Sequence, residues 1–202
     1  QDRDQEITLA IENEYIMSPK DLCTLPFLDK VLDAGVKILK IEGRGRSPEY
    51  TKVTVGVYSE AVKALQNGEF TEEKVAEWTE RLRSVYNRDF WDGYYLGRKT
   101  GEWTQRYGSQ ATKTKVFIGT VTNFFSKINV AEIRMETHDI KVGDDIMIIG
   151  PTTGVYEDKI SEIRVDLKAV DSTEKGELCS IPTKDVIRRG DKVYKVIDAI
   201  NN

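Results

Sequence analysis

Hydrophobic positions follow two different rhythms along this chain. In the first part, short apolar runs alternate with stretches whose apolar residues recur at helical spacing. Residues Ile7–Ile11 alternate apolar and polar, as a half-buried strand would. Ser18-Pro19-Lys20-Asp21 predicts a helix start, an N-cap residue followed by Pro at the first helical position. Pro26 restarts that helix, with Phe27, Leu28, Val31 and Leu32 on one face and Gly35 as its stop. Val36–Ile41 is mostly apolar and predicts a strand buried in a parallel sheet.

Ser47-Pro48-Glu49 opens the next helix. Val53, Val55 and Val57 alternate like a strand, but Tyr50, Val53, Val57, Ala61 and Leu65 keep helical spacing, and Gly68 supplies a stop. The spacing therefore predicts helix. A further helix is predicted over Glu72–Tyr86, capped by Thr71, with Val75, Trp78, Leu82 and Val85 on one face. Such βα units are too few to close a barrel alone, since eight typically need roughly 250 residues.

The second rhythm begins near Val116. Short strands are predicted over Val116–Thr122, Ile128–Met135, Asp145–Ile149, Ile160–Leu167, Glu177–Ile181 and Lys192–Ile197. Their regular spacing suggests a small closed barrel. Gly143-Asp144 and Gly190-Asp191 each stand just before a strand, Gly supplying a left-handed residue and Asp a side-chain tie. Between the two rhythms lies an aromatic-rich connection, Arg88–Gln110, with Trp91, Tyr94, Tyr95, Trp103 and Tyr107, read as a domain-interface core. The expected organisation is α/β plus all-β: residues 1–87, a linker over 88–110, and a β-barrel over 111–202.

Composition narrows the class. Of 202 residues, 39% are apolar and 32% charged, which excludes a disordered or fibrous chain. No apolar run is long enough to span a membrane, and no leader-like segment is visible at Gln1–Glu6. Two cysteines, Cys23 and Cys179, point to a reducing, cytoplasmic compartment. The net charge of −4 argues against a wholly nucleic-acid-binding surface. The lone His138 excludes two-His metal sites and reads as a surface residue, and Cys179 as a core residue. The start at Gln1, without Met, suggests a piece of a longer protein.

Chemistry concentrates at Lys40-Ile41-Glu42-Gly43-Arg44-Gly45-Arg46. Between a strand and a helix start, two glycines allow close backbone approach, the arginines can grip a phosphate or carboxylate, and Glu42 can orient an arginine or act as base. The competing reading is a solvated strand–helix connection. Ser18–Cys23 reads as a cap with a buried Cys, or as a thiolate favoured by a helix N-terminus. Lys184, Arg188, Arg189, Lys192 and Lys195 could track a phosphate backbone. Against that, residues 111–202 hold fourteen Lys+Arg and fifteen Asp+Glu.

The string YIMSPKDLCTLPFLDKVLDAGVKILKIEGRGRSPEYT resembles the collagenase-like peptidase family, whose members are also linked to tRNA, ribosomal RNA and ubiquinone hydroxylation. The resemblance implies the last βα units of a TIM-like barrel, with the N-terminal barrel half missing, and then a barrel similar to domain two of elongation factors. It implies an intact enzyme acting on a peptide or protein substrate, or on RNA, with this chain inactive by itself. Lys40, Glu42 and Arg44 are the implied catalytic candidates. In the hydroxylating relatives four cysteines hold an iron–sulfur cluster, so Cys23 is implied as one ligand in the intact protein. The rival reading is a binding module for RNA or a ribosomal partner, without chemistry.

Overall fold

The computed structural model describes residues 19–97, 103–104 and 108–199. The strand expected at Ile7–Ile11, the Ser18 cap and Tyr107 lie outside the described residues. The chain divides into two compact units, residues 1–42 with 53–111, and residues 43–52 with 112–202.

The first unit is helical around a small parallel pair. Strand β1 (Asp21–Leu22) pairs in parallel with β2 (Phe90–Trp91). A 3₁₀ turn over Leu25–Phe27 leads into helix α1 (Leu28–Asp33). Pro26 opens that turn, and Gly35 ends α1 at φ +91°. The helix expected from Ser18-Pro19 is not formed: Pro19 bridges Trp103, and residues 21–22 enter a strand. The backbone N–H groups of Asp21 and Cys23 go to Asp89 and Trp91 instead of into a helical turn.

The strand expected at Val36–Ile41 is also absent. The segment is irregular, and Ile38 is 84% exposed. A parallel strand needs ladder partners and two covered faces. Among the described residues nothing pairs with it.

Helices α2 (Pro48–Gln66) and α3 (Glu72–Arg83) start where Pro48 and the Thr71 cap place them. The Thr71 hydroxyl accepts the Lys74 N–H at 3.3 Å, and Gly68 turns the chain at φ +71°. Val57 and Ala61 are fully buried and pack in one cluster with Leu25, Leu28, Trp78 and Leu82. Small residues on α2 leave room for the Trp78 indole, whose N–H donates to Glu60 at 3.0 Å. Arg81 grips the same carboxylate with both terminal nitrogens, at 2.5 and 2.8 Å, and this holds Glu60 below its ordinary pKa despite some burial.

The second unit carries eight antiparallel strands. They are β3 (Lys113–Phe125), β4 (Val130–Met135), β5 (Asp145–Gly150), β6 (Gly154–Lys159), β7 (Ile163–Val165), β8 (Lys168–Val170), β9 (Leu178–Pro182) and β10 (Lys192–Asp198). Their order across the sheet is β6-β5-β10-β3-β4-β9-β7-β8. Ile118, Ile133, Ile148, Ile163, Ile181 and Val193 alternate inward and form one core. The run expected as one strand from Ile160 to Leu167 is a hairpin arm instead, turning at Asp166-Leu167 with both residues at positive φ. Strand β6 was not expected, because only Tyr156 of its six residues is fully buried.

Both Gly-Asp turns form in the same way. Gly143 and Gly190 take φ of +93° and +91°. Asp144 accepts the Lys141 N–H at 2.8 Å, and Asp191 accepts the Arg188 N–H at 2.9 Å. Asp191 also accepts the Thr153 hydroxyl at 2.5 Å and is 2% exposed. A Cβ on Gly150 would lie 1.8 Å from an Asp191 carboxylate oxygen. Gly150→Ala is therefore expected to cost at least about 2 kcal/mol in urea unfolding, through overpacking and lost carboxylate bonds. An unchanged midpoint would refute this packing.

Candidate functional site

The loop 40–46 connects α1 to α2. Lys40, Glu42 and Arg44 are exposed, so the expected setting at the end of a buried strand is replaced by an irregular approach and a tight turn. In that turn Arg46 N–H donates to the Gly43 carbonyl at 3.0 Å, and Gly45 takes φ +70°. Gly43 also admits a close neighbour, since a Cβ there would stand 3.1 Å from the Thr51 hydroxyl. Arg46 lies over the Tyr50 ring, 5.4 Å from its centre.

Inside the second unit, residues 43–52 meet the sheet through two ion pairs of opposite polarity. Glu49 binds Lys115 at 2.5 Å, and Lys52 binds Glu157 at 2.6 Å while also donating to the Val155 carbonyl. The Glu49–Lys115 pair is the more enclosed. Burial works to raise the Glu49 carboxyl, but Lys115 and the Ser47 hydroxyl outweigh it and hold it below its ordinary value. Its second oxygen is buried without a partner among the described residues. Sequence reasoning missed this pair, since Glu49 reads as an ordinary acidic residue of a first helical turn.

Cys23 sits between β1 and the 3₁₀ turn, in the core of the first unit. The Tyr58 hydroxyl lies 3.9 Å from its sulfur and accepts the Thr24 N–H at 3.1 Å. Burial raises the Cys23 thiol above its ordinary pKa and drives Tyr58 up to about 12. Cys23 does not lie in a helix begun by Ser18-Pro19; the Leu25 N–H and the Tyr58 hydroxyl favour its thiolate, but desolvation outweighs them. Cys179 is buried in β9 of the other unit, with its thiol pushed up to about 12. An iron–sulfur cluster takes four thiolates. The described residues offer one buried neutral thiol here, and no group of three or more His, Cys, Asp or Glu side chains that could hold a metal. They do not fit a cluster by themselves.

A charged knot surrounds the β1/β2 edge. Asp21 accepts both the backbone N–H and the guanidinium of Arg88, at 2.9 and 3.3 Å. Asp89 meets Lys20 at 3.2 Å and Arg83 at 3.3 Å. Burial opposes ionisation of Asp89, but the Phe90 N–H and the two cations outweigh it and keep its pKa low. Of the aromatics expected at a domain interface, Tyr94, Tyr95 and Trp103 are exposed and Trp91 is half-buried. Trp91 and Tyr94 meet edge to face at 4.8 Å. His138 is exposed and Cys179 fully buried, as their sequence settings imply. Of the basic segment, Lys184 pairs with Asp158 and Lys195 with Asp144.

The family model of peptidase family U32 matches residues 1–105. The chain belongs to this family. It is 50% identical over 194 residues to the collagenase of Porphyromonas gingivalis, covering 96% of this chain and 47% of that protein. It is 32% identical over 140 residues to tRNA hydroxylation protein P1 of Bacillus subtilis, covering 68% of this chain and 32% of that protein. The solved C-terminal domain of a U32 family protein from Geobacillus thermoleovorans is similar at TM-score 0.38 and 16% identity, covering 39% of this chain and 90% of that domain. The chain spans about half the length of the first curated relatives it matches. Among the described residues no helix is long and apolar enough to cross a membrane.

Two outcomes test the site geometry. Cys23 is expected to react with iodoacetamide at least about a hundredfold more slowly in the folded chain than in urea, read by mass spectrometry. Equal rates would place the thiol at the surface. Glu49 has a folded pKa below its unfolded value, so the pair stabilises above the ordinary carboxylate range and is lost as pH falls through the folded pKa. Lys115→Met should therefore cost about 1–3 kcal/mol at pH 7 and much less near pH 3. A pH-independent cost would contradict the pairing.

Proposed function

We propose that this chain is the C-terminal part of a U32 protein that hydrolyses peptide bonds. The observation that carries the reading is the 50% identity to a collagenase over 96% of the chain. In this reading residues 1–87 complete a TIM-like barrel whose N-terminal half precedes them in the longer protein. Residues 111–202 form a small β-barrel of the elongation-factor type. The eight-stranded antiparallel sheet supports that architecture.

Within it, Lys40, Glu42 and Arg44 are the catalytic candidates. A hydrolase needs a base and groups that neutralise developing negative charge. Glu42 would supply the first, Lys40 and Arg44 the second. The loop that carries them is exposed at Lys40, Glu42 and Arg44. The chain alone is inactive in this reading, because one loop does not enclose a reacting group. The protein acts in the cytoplasm.

A second reading is favoured by a separate observation, the similarity to tRNA hydroxylation proteins. There the substrate is RNA, and Cys23 is one iron–sulfur ligand whose partners come from the longer protein. The two readings part in one experiment on the full-length protein. Gelatin cleavage that falls at least about a hundredfold in Glu42→Gln, with an unchanged melting temperature, supports hydrolysis. No cleavage, with iron present in the wild type and lost in Cys23→Ser, would overturn it in favour of the second reading.

A further inference from the structure

One end of the antiparallel sheet in the second unit carries exposed apolar side chains among cations. That end gathers the connections 126–129, 151–153 and 183–191. Ladder pairing puts them together: Phe125 faces Val130, Val130 faces Pro182, Gly150 faces Gly154, and Thr183 N–H donates to the Asn129 carbonyl. Ile128, in the turn between β3 and β4, is 68% exposed, and Val186 is 54% exposed. Phe125 opens the same turn and is also exposed. The charged residues of these connections are Lys127, Lys184, Arg188 and Arg189 against Asp185 and the buried Asp191. Asp158 holds Lys184, whereas Lys127 and Arg189 have no ion-pair partner among the described residues. The opposite end, formed by 136–144, 160–162, 166–167 and 171–177, holds eight anions and two cations.

Two physical features narrow the partner. The apolar side chains stand on turns, not on a strand face, and two of the three are β-branched aliphatics. Flat rings that could stack on bases are what a nucleic acid would use, and Ile128 and Val186 have none. Apolar tips ringed by cations suit the boundary between lipid headgroups and acyl chains, where the tip enters and the cations stay level with the phosphates. The rim is also held in place. Ile187 is buried in the core, Lys184 N–H donates to the Tyr156 hydroxyl, and Arg188 N–H donates to Asp191. Anchoring between the exposed residues leaves little ordering cost for binding.

We infer that this rim docks on an anionic lipid surface. Ile128 and Val186 enter the interface, and Lys127, Arg188 and Arg189 meet the headgroups. The acidic far end is repelled by the same surface, so the basic end leads the approach. The inference stands on the rim alone and goes beyond both functional readings. It is read as binding, without activity, so each can fail without the other.

The test is co-sedimentation of the chain of 202 residues with vesicles of phosphatidylcholine alone, or of equal parts phosphatidylcholine and phosphatidylserine. Affinity for the anionic vesicles is expected to be at least about tenfold higher, and to fall as salt rises. Arg188→Glu/Arg189→Glu should lose at least about tenfold on the anionic vesicles. Ile128→Trp should bind and shift its emission to the blue, beyond any shift of the wild type, whose three tryptophans all lie in the first unit. Glu136→Gln/Asp139→Asn, at the far end, should leave affinity unchanged. All the substituted residues are exposed, and circular dichroism verifies folding. Equal binding to neutral vesicles, an unaffected double variant or an unshifted emission would overturn the inference. So would a single-stranded RNA 20-mer that displaces the chain from the vesicles, or a dimer in sedimentation velocity that the double variant dissolves.

Discussion

A single buried carboxylate organises one end of the antiparallel sheet. Asp191 accepts from the Arg188 backbone and the Thr153 hydroxyl, and its own backbone closes on Val121. The carboxylate fits only because Gly150 has no side chain. Burying a charge is costly unless it is hydrogen-bonded, and here two donors converge on its Oδ2. The consequence runs outward: the β5–β6 turn, the 183–191 loop and the start of β10 are fixed against one another. Asp144 repeats the turn but not the burial, pairing instead with Lys195 at 2.6 Å. One sequence pattern thus does two jobs, a buried tie at Asp191 and an ion pair at Asp144.

The first unit rests on a different balance. Its helices pack well, with Trp78 and Leu82 against Val57 and Ala61. Its parallel pair is only two residues long on each side. Two short strands bury little, and their edge is held by the knot of Asp21, Arg88, Asp89, Lys20 and Arg83. The apolar residues Leu22 and Ile38 are left exposed beside that small sheet and on the following loop. In the proposed longer barrel these would meet neighbouring strands.

Much of this was legible in the sequence. Pro48 at the first position of α2, the cap Thr71 and the stops Gly35 and Gly68 fix α2, α3 and the end of α1, because they act locally. The Gly-Asp turns were legible for the same reason. Val36–Ile41 was misread because an apolar run specifies burial only when partners exist to bury it. Strand β6 escaped notice because Gly154–Lys159 turns one residue, Tyr156, into the core and leaves polar residues elsewhere. Cys23 was placed near a helix start from Ser18-Pro19, yet the backbone there bonds to β2 across the sequence. For the site, the KIEGR loop was identifiable as a string, but the ion pairs of Glu49 and Lys52, which follow it, depend on contacts more than sixty residues away.

Asp191 ties the 183–191 loop to the 151–153 turn. Hydrogen exchange on Asp191→Ala tests it most directly. Amides of residues 183–190 and the 151–153 turn are expected to lose protection, while those of α2 and α3 keep theirs. Unchanged protection across 183–190 would contradict it.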